Sequence, residues 1–186
     1  NQLLNDPTTP LVNRALSQKK APGSTLKMAV AVAALETGTI TPATLIDTEG
    51  RFTKAGTPYA NCWIYNSSGG NHGTINVSHA LEVSCNYFFY ESVFRMGNKE
   101  NGGTQKAIET LGQYWEAFGL NSPTGLEIDT STPSMATPAY KEYITKMQNP
   151  EATETQTRWT DGDTIRAAIG QSVNNFSPAQ MAKYIA

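Results

Sequence analysis

The sequence predicts a helix-rich α+β domain of the α/β class, and three observations carry that expectation. Its 186 residues suffice for one sizeable core, with no break in composition that would demand a second. The 15 glycines and 10 prolines are scattered rather than clustered, which suits a mixed fold with long connections. Several windows read as capped helices, whereas strand signals are few and short.

Composition also excludes classes of function. Fourteen Lys and Arg against 16 Asp and Glu leave a net charge of -2, and the one basic run is Gln18-Lys19-Lys20, so nothing supports a nucleic-acid partner. The longest apolar stretch, Met28–Leu35, falls short of the roughly 20 residues a membrane span needs, and no signal peptide opens the chain. An opening at Asn1 without an initiator methionine suits an expressed or trimmed fragment.

In chain order, Pro22-Gly23 makes a tight entry to a helix over Ser24–Thr37, with Gly38 as a left-handed cap. That helix is small and apolar on nearly every side, so it belongs in the core, and a lysine at its buried end requires a reason. Helices follow over Val77–Val83, over Asn86–Met96 closing at Gly97, and over Gln105–Phe118 closing at Gly119, the last capped by Thr104. Leu126-Glu127-Ile128 is the clearest strand. Pro150–Gly162, acidic and Thr-rich at its front, reads as an exposed loop, with a substrate-contacting flap as the alternative. Ser177 and Gln180 form a capping box around Pro178 and start a helix that runs to the last residue, Ala186. Trp63, Trp115 and Trp159 read as packing residues or groove walls.

Two clusters carry chemistry. Ser24 and Lys27 lie three apart, so they share a helix face. Serine is a poor nucleophile until a base takes its proton, and a lysine with a lowered pKa is such a base. The bland alternative is a helix start with a solvent-facing lysine. Ser84-Cys85-Asn86 separates two helices; taken alone, it is an ordinary helix break. The other cluster is Cys62, His72 and Cys85. Cysteine and histidine suit zinc, which takes four tetrahedral ligands, so a fourth has to be an acid or water. A Cys62–Cys85 disulfide, permitted outside the cell, and two inert buried thiols beside a core histidine are the alternatives.

The segments Ala21-Pro-Gly-Ser-Thr-Leu-Lys27, Ser84-Cys-Asn86, Thr124-Gly-Leu-Glu-Ile128 and Ala168-Ile-Gly-Gln171 occur in the order and rough spacing of one family. Together they resemble the transpeptidase domain of class B penicillin-binding proteins, of elongation or sporulation type, and the likeness covers essentially the whole chain. The resemblance implies a penicillin-binding protein and serine beta-lactamase-like fold. Residues 1–186 would be its N-terminal, mainly helical portion, with the later sheet strands missing.

By that resemblance Ser24 attacks a peptide carbonyl and becomes acylated. Lys27 takes its proton, Asn86 holds Lys27 or the substrate amide, and Ser84 relays a proton to the leaving amine. The activity implied is a serine D,D-transpeptidase that cross-links peptidoglycan stem peptides and is acylated by beta-lactams. It works outside the cytoplasm, anchored to the membrane beside a glycosyltransferase in the full-length protein. The family's Lys-Thr-Gly strand does not occur before Ala186. A second chain or fragment carrying the remaining strands is therefore expected, and the piece alone is expected to be inactive.

The chemistry needs no cofactor, but a structural zinc is implied, held by Asp47, Cys62, His72 and Cys85. Cys62 stands where some relatives have aspartate, and Asn66–Gly70 looks like a local length variation. His79 reads as an ordinary surface residue. Two rival functions remain: a serine beta-lactamase, for which no glutamate-bearing deacylation loop is recognisable, and a non-catalytic beta-lactam or muropeptide sensor.

Overall fold

A computed structural model describes residues 2–98, 100, 102–128 and 130–186. Asn1, on which the expectation about the chain's start rests, lies outside them. A single turn, α1 (Arg14–Ser17), precedes a 3-10 turn over Gly23–Leu26 that leads into α2 (Lys27–Glu36). The helix predicted from Ser24 therefore begins as a tighter turn and becomes α-helical at Lys27. Ala29, Val30, Ala31, Ala33 and Ala34 are buried, while Met28 and Val32 stay 45% and 37% exposed, so the apolar helix keeps one open face.

Two short antiparallel pairs follow. β1 (Ile46–Thr48) pairs with β4 (Gly73–Ile75), with Asp47 opposite Thr74 and Thr48 opposite Gly73. β2 (Arg51–Phe52) pairs with β3 (Ala60–Asn61). Between β3 and β4 lies α3 (Trp63–Ser68), ended by Gly69 in the left-handed region. These elements had no local signal beyond a few residues each, because their pairing joins distant segments.

The core is organised around α5 (Asn86–Met96), which follows α4 (Val77–Glu82) after a short loop. Tyr87, Phe88, Phe89, Tyr90, Val93 and Met96 are all buried. α5 packs against α2, against α6 (Gly103–Ala117) and against α9 (Asp161–Ala168). An aromatic nest of Phe52 with Tyr87, Tyr90 and Phe94, at centroid separations of 5.4–5.8 Å, fastens the second strand pair to the same helix. The last helix, α10 (Pro178–Ile185), starts with the predicted capping box of Ser177 and Gln180.

Three expectations are corrected. Leu126–Ile128 is not a strand: Leu126 and Ile128 are exposed, and among the described residues no partner strand meets them. Thr104 is not the cap of α6; Gly102 is, and Thr104 sits buried in the first turn with its hydroxyl on Asp161. Pro150–Gly162 is not simply an exposed loop. It contains α8 (Glu154–Thr157), whose capping box is Thr153 with Gln156, and Thr157 is buried. α7 (Pro138–Gln148), which carried no prediction, precedes it, and Lys141 on that helix pairs with Asp163 at 2.7 Å.

One close approach locks the start of α2. The Gly23 N–H donates to the Gly170 carbonyl at 2.9 Å, and Lys20 and Phe176 exchange both backbone bonds at 3.0 Å. A Cβ on Gly170, whose φ is +71°, would lie 2.1 Å from the Gly23 oxygen. Gly170→Ala should therefore lower unfolding free energy in urea by more than about 2 kcal/mol. Gly38→Ala, at φ +69° with nothing within 4 Å, should cost only about 1 kcal/mol. Equal losses would show that the close approach does not set the cost.

Candidate active site

Lys27 is 1% exposed, and its ammonium finds an acceptor for each of its three N–H groups. Nζ donates to Asn86 Oδ1 at 2.6 Å, to the Ser84 carbonyl at 2.8 Å and to Ser84 Oγ at 3.0 Å. The Ser84 hydroxyl in turn donates to Ser24 Oγ at 3.1 Å. Lys27 is thus linked to the exposed Ser24 through Ser84. The four residues expected to carry the chemistry lie in one hydrogen-bonded line.

The loop between α4 and α5 makes this possible. Ser84 adopts φ +51°, uncommon for a residue with a side chain and typical of positions held by their surroundings. Burial pushes the Lys27 amine down to about 8, while the nearby sulfurs of Cys62 and Cys85 pull it the other way. Burial is the larger effect, and among the described residues no carboxylate hydrogen-bonds the amine. The ring of Phe89 lies 5.7 Å from Nζ, a weak cation–π contact that leaves the amine little solvent.

In the ammonium form all three hydrogens are spent and Lys27 has no lone pair. Once neutral, it can accept the Ser84 proton while Ser84 accepts the Ser24 proton, so the line reverses by rotation of two hydroxyls. Ser24 lies in the 3-10 turn ahead of α2, where backbone N–H groups favour a developing oxyanion.

Behind the same loop the fold gathers Cys62, His72 and Cys85, with one ligand atom of each within 4.8 Å of the others. Both sulfurs are buried free thiols 3.9 Å apart, well beyond the roughly 2.05 Å of a disulfide. His72 Nδ1 is 3.7 Å from Cys62 Sγ, and Nε2 is buried with no hydrogen-bond partner among the described residues. Tetrahedral zinc with Zn–S of about 2.3 Å and Zn–N of about 2.0 Å would set its ligand atoms about 3.5–3.8 Å apart. The separations of Cys62 Sγ from Cys85 Sγ and from His72 Nδ1 are close to those values, so a small inward shift would bring the three ligand atoms onto such a metal.

Asp47 stands apart from this group, on the exposed face of β1. Its neighbour Thr48 is the residue that matters locally. Buried, it accepts the His72 N–H at 3.1 Å and donates to the Gly73 carbonyl at 2.8 Å. Nothing in the local pattern marked Thr48, since its partners lie across a strand pair.

Sulfur also caps the loop. Cys62 Sγ accepts the Asn86 N–H at 3.2 Å, and Cys85 Sγ accepts the Phe88 N–H at 3.5 Å at the start of α5. The hydrogen bond between the two sulfurs holds Cys62 below the usual thiol range and, with burial, pushes Cys85 above it. Trp63 closes the cluster: its indole donates to the Val83 carbonyl at 3.1 Å and meets the His72 ring edge-on at 5.4 Å. His79 lies exposed on α4, paired with Glu82 at 3.0 Å.

Residues 1–186 match the family described as penicillin binding protein transpeptidase domain. The chain is 34% identical over 184 residues to the peptidoglycan D,D-transpeptidase MrdA of Escherichia coli K12, covering 97% of this chain and 25% of that protein. It is 27% identical to the peptidoglycan D,D-transpeptidase PbpA of Mycolicibacterium smegmatis, covering 92% of this chain and 35% of the other. Among solved structures, Helicobacter pylori PBP2 superposes with a TM-score of 0.76 at 25% identity, over 98% of this chain and 30% of that one. Pseudomonas aeruginosa PBP2 gives 0.79 at 23% identity, over 98% and 35%. The chain thus spans about a quarter of the length of the curated MrdA relatives it matches.

The buried amine should titrate near pH 8 by NMR of its side-chain carbons, against 10.5 for an ordinary lysine. Its folded pKa is the lower one, so between these values the unfolded chain binds more protons and stability rises with pH. Lys27→Met should remove this share of the rise in urea unfolding measured from pH 7.5 to pH 10. An unchanged slope, or titration near the ordinary value, would show that the amine is not desolvated.

Proposed function

The chain belongs to the penicillin-binding protein transpeptidase family, and from that membership we propose that it bears the nucleophile of a serine D,D-transpeptidase that cross-links peptidoglycan stem peptides. The observation that carries the reading is the line from Lys27 Nζ through Ser84 Oγ to Ser24 Oγ. Ser24 is the exposed end of that line and Lys27 the buried one.

In the proposed reaction the Ser24 oxygen attacks the carbonyl of the penultimate D-alanine. Its proton passes to Ser84 as the Ser84 proton passes to neutral Lys27. The carbon–nitrogen bond breaks, the departing D-alanine amine recovers a proton from Lys27 through Ser84, and an ester remains on Ser24. An amine from a neighbouring stem peptide then attacks the ester and restores the serine. Asn86 keeps the Lys27 amine in place throughout. Beta-lactams would acylate Ser24 by the same attack, with the opened ring held on the enzyme.

Residues 1–186 would form the mainly helical portion of a single transpeptidase domain. The open face of α2 at Met28 and Val32 supports this, since it offers apolar surface to the later strands. The complete protein would work at the outer face of the cytoplasmic membrane beside a glycosyltransferase. Among the described residues no helix is long and apolar enough to cross a membrane. A Helicobacter pylori PBP2 relative was solved in complex with MreC, and another solved relative comes from work on a peptidoglycan synthase complex. A scaffold partner and a polymerising partner are proposed here on that basis.

Cys62, His72 and Cys85 would hold a structural zinc, with Asp47, after its side chain turns inward, or water as fourth ligand. The metal would supply rigidity rather than chemistry, because two of its ligands cap the loop carrying Ser84 and Asn86.

Fluorescent penicillin should label Ser24 covalently in the complete protein, and Ser24→Ala should abolish the label. Lys27→Ala should leave the fold intact and slow acylation by about 100-fold. Label that maps elsewhere or survives in the alanine variant would overturn the assignment. An acyl-enzyme that clears in seconds would point to a beta-lactamase, and a long-lived one without turnover of a D-alanyl-D-alanine peptide to a sensor.

Elemental analysis of protein purified without added metal should find about one zinc per chain, and chelation should lower the melting temperature. Cys85→Ser should lose the metal, Asp47→Ala should retain more of it, and His79→Ala should not differ from wild type. Zinc near zero, with both thiols recovered as a disulfide, would replace the metal reading with a redox one.

A further inference from the structure

We infer that Tyr184, near the end of α10, is a positioning residue for the turn that carries Ser24 and Lys27. The inference rests on the acyl-transfer reading of that pair. The Tyr184 hydroxyl accepts the Ala29 N–H at 3.1 Å and donates to the Thr25 carbonyl at 3.1 Å. In a regular α-helix these two groups, four residues apart, bond directly to each other. The phenol oxygen therefore stands in the ladder at the point where the 3-10 turn becomes α2.

Lys27 lies midway between Thr25 and Ala29, and Ser24 immediately precedes them. The Lys27 N–H bonds to the Ser24 carbonyl in the 3-10 manner, so the backbone at the pair is wound more tightly than the helix that follows. Side chains inserted into a helical ladder are an established cause of local bends. Here the inserted hydroxyl satisfies one donor and one acceptor, so the change of winding leaves neither unpaired.

The phenol is itself held rigidly. Tyr184 is 6% exposed, and its ring meets Phe118 edge-on at 5.8 Å. The base of α10 is fixed by the Ser177–Gln180 capping box and by the Phe176–Lys20 backbone pair just ahead of it. A group from the far end of the chain thus sets the winding that aims Ser24 at the Ser84 hydroxyl. In Tyr184→Phe the Thr25 carbonyl and Ala29 N–H are free to close on each other. The turn would then relax toward regular α-helix and carry Ser24 out of line.

The test uses the complete protein and a fluorescent penicillin, with stopped-flow kinetics separating non-covalent binding from the acylation step. Tyr184→Phe should slow the acylation step about tenfold and leave the binding constant unchanged, because misalignment affects the reacting atoms and not the docking surface. Its melting temperature should stay within about 3 °C of wild type. Phe118→Leu, which loosens the same ring but keeps the hydroxyl, should lower the melting temperature without slowing acylation. An acylation step in Tyr184→Phe indistinguishable from wild type overturns the inference alone, as does one that falls only in step with melting temperature in both variants. Wild-type protein that is not acylated at Ser24 overturns the transpeptidase reading, and this inference with it.

Discussion

An ammonium group held out of water is the constraint on which the site depends. Lys27 is the charged end of an otherwise apolar helix start, and an unpaired cation there would cost far more than the fold can spare. Its three donors are matched by three acceptors, all from Ser84 and Asn86. The start of α2 can therefore seat only when the loop between α4 and α5 is in place. The left-handed backbone of Ser84 costs on the order of 1 kcal/mol, which charge-assisted hydrogen bonds of this kind offset.

The same loop is pinned from behind by sulfur. Cys62 and Cys85 accept backbone N–H groups on either side of Tyr87, so the thiols act as caps for the first turn of α5 as well as candidate ligands. Thr48 and Trp63 hold the His72 side of the cluster against β1 and the end of α4. The amine and the Cys62 sulfur therefore both hydrogen-bond the three-residue loop Ser84–Asn86, whose middle residue is Cys85. A change in either is felt by the other through backbone hydrogen bonds rather than through space alone.

The front of the turn that carries Ser24 is secured independently. Gly23 abuts Gly170, Lys20 pairs with Phe176, and the Tyr184 hydroxyl bridges Thr25 and Ala29. Ser24 stands exposed between these two sets of restraints, one from the middle of the chain and one from its end. Rigid support on both sides with an open centre suits the proposed acyl transfer, since reorganisation would be complete before substrate arrives.

Local chemistry was legible in the sequence wherever a property depends on neighbours within one turn. Helical spacing put Ser24 and Lys27 on one face, Gly97 marked the end of α5, and Ser177 with Gln180 marked the start of α10. The same local reasoning failed at Leu126–Ile128, because a strand exists only if a second segment arrives to share its hydrogen bonds. Asp47 came with the ligand set that family resemblance implies, and the pairing register of β1 with β4 leaves its side chain on the exposed face and buries Thr48. By itself, then, the sequence determined which side chains are available for nucleophilic and thiol chemistry and where α2, α4, α5, α6 and α10 lie. Tertiary structure alone decided that Lys27 reaches Ser24 through Ser84, that Thr48 braces His72, and that Tyr184 enters the ladder of α2. Each of those contacts joins groups far apart in the chain, and only packing of the common core brings them within hydrogen-bonding distance.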